Sequence, residues 1–148
     1  FEELRNGMIL SQGFVKTQNK IPPRIKAITG ITDDDVNGGD ALSVLVSEVN
    51  DGLKMCQDPK LIAHNMRFDS SFLTTAGVDP VLYKPFCSLK YYRSKRKRKK
   101  NNLSAIYEDI VGKKPKKAHR AKADVDMLKE IISNDKELYE ELVCSKGK

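Results

Sequence analysis

No CxxC pair occurs in the 148 residues, and the three cysteines, Cys56, Cys87 and Cys144, are odd in number and scattered. That argues against a disulfide framework or a thiolate zinc site, and predicts free, mostly buried thiols in a reducing, intracellular compartment. No apolar run approaches the roughly 18 residues that a membrane span needs. The charged opening FEELRNG does not read as a signal peptide. Internal repeats are also lacking, so one globular domain is expected over residues 1–148. What remains, 39% hydrophobic and 32% charged residues, belongs to a chain able to bury an ordinary core.

Charge is abundant and uneven. Residues 84–122 hold fifteen Lys or Arg against two acids, Glu108 and Asp109, a local charge of +13, while the rest of the chain sums to −6. Such an excess is the footprint of a polyanion partner, most often nucleic acid. Its densest part, RSKRKRKK (93–100), is expected to be a basic loop. The same run also fits a nuclear-localisation tract in a eukaryotic host, or a solvated loop. The protein is therefore expected in the cytoplasm, or in the nucleus if the host is eukaryotic.

Periodicity outlines the elements. MILSQGFVK (8–16) reads as the second half of a hairpin turned at Asn6-Gly7. IPPRIKAITGIT (21–32) suits an extended stretch, a proline-led first helical turn and a stop at Gly30. Asp40 is a plausible N-cap for a helix carrying Leu42, Leu45, Val46, Val49 and Leu53. PKLIAHN (59–65) reads as a buried strand, followed by a helix from about Asp69 to Ala76. A further short strand is expected within 81–92, and helices within 101–112 (ending at Gly112), 121–133 and 135–144. Strand–helix alternation predicts an α/β fold, a sheet covered by helices.

Two stretches stand out, HNMRFDSSFL (64–73) and HRAKADVDML (119–128), each pairing a His with an Asp five residues on. Asp69 follows a strand near a helix start. Asp124 borders a face marked by Val125, Leu128 and Ile132. A carboxylate beside a core-facing stripe is costly unless paired, protonated or bound to a cation. Two such acids could share a divalent ion, and oxygen donors favour Mg²⁺ or Mn²⁺ over zinc. His119, upstream of Asp124, could face the same ion. His64, at the end of an apolar strand, reads instead as a satisfied structural His.

Together with IPPRIKAITGITDDDV, these stretches resemble successive landmarks of the DEDDh 3′–5′ exonucleases, the ribonuclease-H-like family that includes the proofreading epsilon subunit of bacterial DNA polymerase III. The pattern H-N-x-x-F-D-x-x-F-L is met at His64, Asn65, Phe68, Asp69, Phe72 and Leu73, and H-x-A-x-x-D at His119, Ala121 and Asp124. NNLSAIYEDIVG is similar to the helix before that last motif, and the order and spacing agree over roughly residues 8–133. The resemblance implies a ribonuclease-H-like mixed sheet flanked by helices, with Asp69 and Asp124 as metal ligands and His119 as general base. It implies a two-metal site for Mg²⁺ or Mn²⁺ and a single-stranded nucleic-acid 3′ end, DNA or RNA, as substrate. Thr29, Gly30 and Ile31 match the segment that packs against the terminal nucleotide, the alternative being a helix C-cap with a core Ile. Asn65 and Phe68 fall in the substrate-facing motif. Arg93, Lys95, Arg96 and Arg98 would hold the strand through its phosphates.

One family motif is not met. The D-x-E of the first strand lies some tens of residues ahead of ITGIT, and only 27 residues precede that segment here. Glu2 and Glu3 lack its spacing. The expectation is a domain short of its first strand, active once that strand is present, within a larger chain or beside a polymerase. The alternatives are an inactive nucleic-acid-binding module, or a docking domain using the basic loop for an acidic partner or for nuclear import.

Overall fold

The computed structural model of the chain describes residues 12–95, 100–115 and 121–143. Their contacts gather into two compact units: Asp69–Lys84 with the residues up to Pro59, and Lys60–Phe68 with the residues from Pro85 onward. The proposed Asn6-Gly7 turn and Cys144 lie outside the described residues.

In the first unit, α1 (Pro23–Thr29) opens with proline, whose missing N–H would be unpaired in a first turn anyway. It closes at Gly30, where φ is +66° and the N–H donates to the Lys26 carbonyl, as expected. Thr32 caps α2 (Asp33–Asn37): its hydroxyl accepts from the Asp35 N–H while the Asp35 carboxylate takes the Thr32 N–H. Asp40 does not cap the next helix as expected. Its N–H donates to the Phe14 carbonyl and its own carbonyl accepts from Lys16, both at 2.8 Å, in a parallel bridge between Val15 and Asp40. Gly39 permits that approach, because a Cβ there would stand 2.2 Å from the Phe14 oxygen. The helix, α3 (Leu42–Met55), therefore starts after Ala41 and buries Val49 and Leu53, while Leu42 stays 43% exposed. Asn50 of α3 pins a 3₁₀ turn, Pro80–Leu82, by donating to the Gly77 carbonyl and accepting from the Asp79 N–H.

The second unit holds the larger core. The short strand β1 (Lys60–Ala63) is half-buried along its length and pairs with β2 (Lys84–Cys87). Between them in sequence, α4 (Met66–Ala76), which from Asp69 onward belongs to the first unit, begins three residues before the expected Asp69. The expected strand within 81–92 is only four residues long, and α5 (Ser88–Lys95) follows it at once, packing on β1. Arg93 and Lys95, expected on a basic loop, thus belong to a helix. Then come α6 (Leu103–Val111), ended by left-handed Gly112, α7 (Ala121–Asn134) and α8 (Lys136–Val143). On α7 the buried stripe is Met127, Leu128, Ile131 and Ile132, and Val125 is 38% exposed. The stripe begins two residues later than expected, at Met127. Ile106 of α6, Ile131 of α7 and Leu138 of α8 are wholly buried, each contributing about 1.5–3 kcal/mol by its apolar area. Cys56 and Cys87 are free thiols, half-buried, where mostly buried ones were expected. No helix among the described residues is long and apolar enough to cross a membrane.

Candidate active site

Asp69 and Asp124 occupy equivalent places on two helices. Each is half-buried and lies in the first turn, of α4 and α7 respectively. A carboxylate there meets the helix dipole favourably. Asp69 belongs to the first unit and Asp124 to the second. His119 lies outside the described residues. Among the described residues, no three His, Cys, Asp or Glu side chains converge into a metal cluster. The donor chemistry of these two acids fits a hard divalent cation, whereas a cage for two cations takes more oxygen ligands than two carboxylates provide.

Around Asp69, α4 turns two aromatic rings to solvent. Phe68 is 59% exposed and Phe72, one turn on, 63%. Asn65, also exposed, precedes the helix and its carbonyl accepts from the Phe68 N–H at 2.7 Å. Phe72 belongs to the motif but was not expected to face outward, although its position four residues after Phe68 places both on one helix face.

Thr29, Gly30 and Ile31 form the end of α1. The Thr29 hydroxyl donates to the Ile25 carbonyl at 2.8 Å and accepts from the Ile31 N–H at 3.1 Å, and Ile31 is half-buried. Close by in the chain, Lys26 ion-pairs with Asp33 at 2.5 Å while the Ile21 N–H donates to the same carboxylate. The Lys26 hydrogen bond, helped by that of Ile21, holds the Asp33 carboxyl below the usual range.

The basic run divides into parts with different surroundings. Arg93 is exposed on the last turn of α5. Lys95 is engaged by α8: its ammonium lies 3.0 Å from Glu137 and 3.6 Å from Glu141, and 5.6 Å from the centre of the Tyr91 ring. Its hydrogen bond to Glu137 raises the Lys95 pKa. Arg96 and Arg98 lie outside the described residues. Further along, Lys113 pairs with Glu130 and Lys122 with Asp126.

Sequence reading passed over two features here. One is α5 itself, although Ser88, Tyr92 and Lys95 recur at helical spacing before the charges begin. The other is a D-x-E, Asp135-Lys136-Glu137, that sits far from the place where the family motif is expected. Both of its carboxylates have structural partners: Asp135, 4% exposed, accepts from the Tyr92 hydroxyl at 2.9 Å and from the Leu138 N–H, and Glu137 holds Lys95. His64 is bonded on both ring nitrogens, to Ser88 Oγ at 2.9 Å and to the Asn101 carbonyl at 2.8 Å, as a structural His would be.

Residues 9–132 match the family model described as exonuclease, RNase T. The chain is 31% identical over 146 residues to a protein named uncharacterized exonuclease R569 of Acanthamoeba polyphaga mimivirus, an alignment covering 88% of this chain and 42% of that protein. It is 32% identical over 76 residues, half of this chain, to the PolC-type DNA polymerase III of Listeria innocua serovar 6a, of which it covers 5%. It thus spans less than half the length of either relative.

Proposed function

This chain belongs to the RNase T exonuclease family, and on that premise we propose that it is the nuclease domain of a metal-dependent 3′–5′ exonuclease, releasing mononucleotides from the 3′ end of single-stranded DNA or RNA. The observation that carries the reading is a family match running through 9–132, which takes in Asp69, His119 and Asp124 together. The helix-rich α/β arrangement with its small sheet is consistent with the ribonuclease-H-like fold of such enzymes.

In this reading Asp69 and Asp124 would hold Mg²⁺ or Mn²⁺ through hard carboxylate oxygens. When bound, such ions neutralise charge on the scissile phosphate and make a water a better nucleophile. His119 takes the proton of the attacking water, a role that suits an imidazole because its ordinary pKa is near neutral. Phe68 offers its exposed ring to a base, and stacking of this kind tolerates any sequence. Thr29, Gly30, Ile31 and Asn65 border the terminal nucleotide. Arg93, Arg96 and Arg98, with the rest of the run 93–100, bind phosphates without reading bases. The domain acts inside the cell, within a longer chain or beside a polymerase.

No D-x-E precedes Thr29 in the sequence, and the two aspartates leave a two-cation site short of ligands. The 148-residue chain is therefore expected to bind single strands and to degrade them slowly or not at all, whereas a version joined to an upstream strand bearing D-x-E degrades them. Incubation of a 5′-labelled and a 3′-labelled oligonucleotide with each version tests this. A ladder from the 5′ label together with immediate loss of the 3′ label as mononucleotide supports the reading. Binding by both versions with cleavage by neither favours the inactive binding module.

A further inference from the structure

One imidazole joins the two ends of the segment that carries the densest basic charge. His64, immediately after β1, bonds through Nδ1 to Oγ of Ser88, the first residue of α5, and through Nε2 to the carbonyl of Asn101, the residue after Lys100. The Asn101 carbonyl can only accept, so Nε2 carries a proton. Ser88 is wholly buried, and its hydroxyl also lies 3.4 Å from the Ala63 carbonyl, the residue next to His64. Residues 88 and 101 are thus tied to the same point of the second unit.

The segment between them includes eight of the chain's 27 Lys and Arg residues, seven of them within 93–100. A run of like charges repels itself and extends when its ends are free. Two further ties hold the α5 side: the Tyr92 hydroxyl to Asp135, and Lys95 to Glu137 and Glu141. On the Asn101 side, Asn102 caps α6, accepting from the Ala105 N–H at 2.8 Å. His64 reaches both sides. Restraint of this kind lowers the ordering cost that Arg93 and Lys100 would otherwise meet on binding a polyanion.

We propose that His64 is a positioning residue for nucleic-acid binding: it acts through Ser88 and Asn101 to hold Arg93 and Lys100 where they can engage consecutive phosphates of one strand. The assignment rests on the nucleic-acid-binding part of the function proposed above, and goes beyond it by giving a role to a histidine that takes no part in the chemistry.

The test measures the affinity of the full chain for a fluorescent single-stranded oligonucleotide over a range of salt concentrations. For folded His64→Ala, the expectation is roughly tenfold weaker binding at low salt. The slope of log affinity against log salt should be flatter by about 1.4, the loss of about two phosphate contacts on a single strand. His64→Gln, which keeps a donor for the Asn101 carbonyl, should recover part of both. Ser88→Ala, a small change at a buried site, should move them in the same direction and serves if His64→Ala does not fold. A histidine that only supports the fold would lower the melting temperature without altering the salt slope, so an unchanged slope in folded His64→Ala and in Ser88→Ala overturns the assignment. Arg93→Ser combined with Lys100→Ser is the reference. If it flattens the slope and the His64 and Ser88 variants do not, the inference alone fails. If the unaltered chain binds no single strand, the underlying reading fails and the inference with it.

Discussion

Tyr92 of α5 donates to Asp135 at the head of α8 across 2.9 Å, and neither is open to solvent: Tyr92 is wholly buried and Asp135 is 4% exposed. This contact joins the helix that leads into the basic run to the last described helix of the second unit. Asp135 also caps α8 by accepting from the Leu138 N–H. A buried carboxylate that loses a donor keeps its desolvation cost. Tyr92→Phe should therefore destabilise the chain by about 1–3 kcal/mol, read as a lower midpoint in urea. Asp135→Asn, whose one amide oxygen can still accept from the Leu138 N–H while its NH2 donates to the Tyr92 oxygen, should cost less. A midpoint that does not move for Tyr92→Phe would mean the bond contributes nothing net.

Glu137 and Glu141 compete with any phosphate for Lys95. Replacing both by Gln should strengthen single-strand binding and steepen its salt dependence by roughly one contact. Stability should hardly change at neutral pH, because all three side chains are substantially exposed. Since the Lys95 pKa is raised on folding, the pair supports the fold below the ordinary lysine value of 10.5 and ceases to do so as pH rises through the folded value. Weaker binding by the double variant would show that Lys95 contributes through its anchorage alone.

Asp33 works in the opposite pH window. Its carboxyl titrates below the ordinary 3.8 because of Lys26 and the Ile21 N–H, so its contribution is complete above that value and is lost as pH falls through the lower, folded one. Melting curves between pH 7 and pH 2 should show a shallower acid-side decline for Asp33→Asn than for the parent. Parallel curves would assign the decline to other carboxylates.

Much of this arrangement could be read from the residues. Proline at the start of α1 and glycine after α1 and α6 set those boundaries by backbone geometry alone, and they fall where expected. Asp69 and Asp124 were expected near the starts of helices, and both lie half-buried in first helical turns. Helix α5 was less legible: Phe86, Tyr91 and Tyr92 favour a strand by composition, and the tertiary bond from Tyr92 to Asp135 is what a local reading cannot supply. Asp40 misled for a related reason, since its backbone is committed to Val15, a partner 25 positions away in the sequence. The partners of Lys95 were invisible for the same cause, as ion pairs across 42 and 46 residues leave no periodic trace.

The role given to His119 has a kinetic signature. In a version carrying the upstream D-x-E strand, His119→Ala should lower the cleavage rate by about 10²–10⁴-fold, the scale of losing a general base. Affinity for the single strand should be unchanged, since the charge on the basic run is untouched. Parental rates from this variant would remove His119 from the mechanism.

The central claim, that Asp69 and Asp124 serve a metal-dependent 3′–5′ exonuclease, is tested most directly by following a 5′-labelled single strand with Mn²⁺ in the chain joined to an upstream D-x-E. The account predicts a ladder of products shortening from the 3′ end, abolished by chelator and by either Asp69→Asn or Asp124→Asn, with each variant still folded and still binding the strand. A ladder that persists in both variants, or no ladder from the parent under any divalent ion, would contradict it.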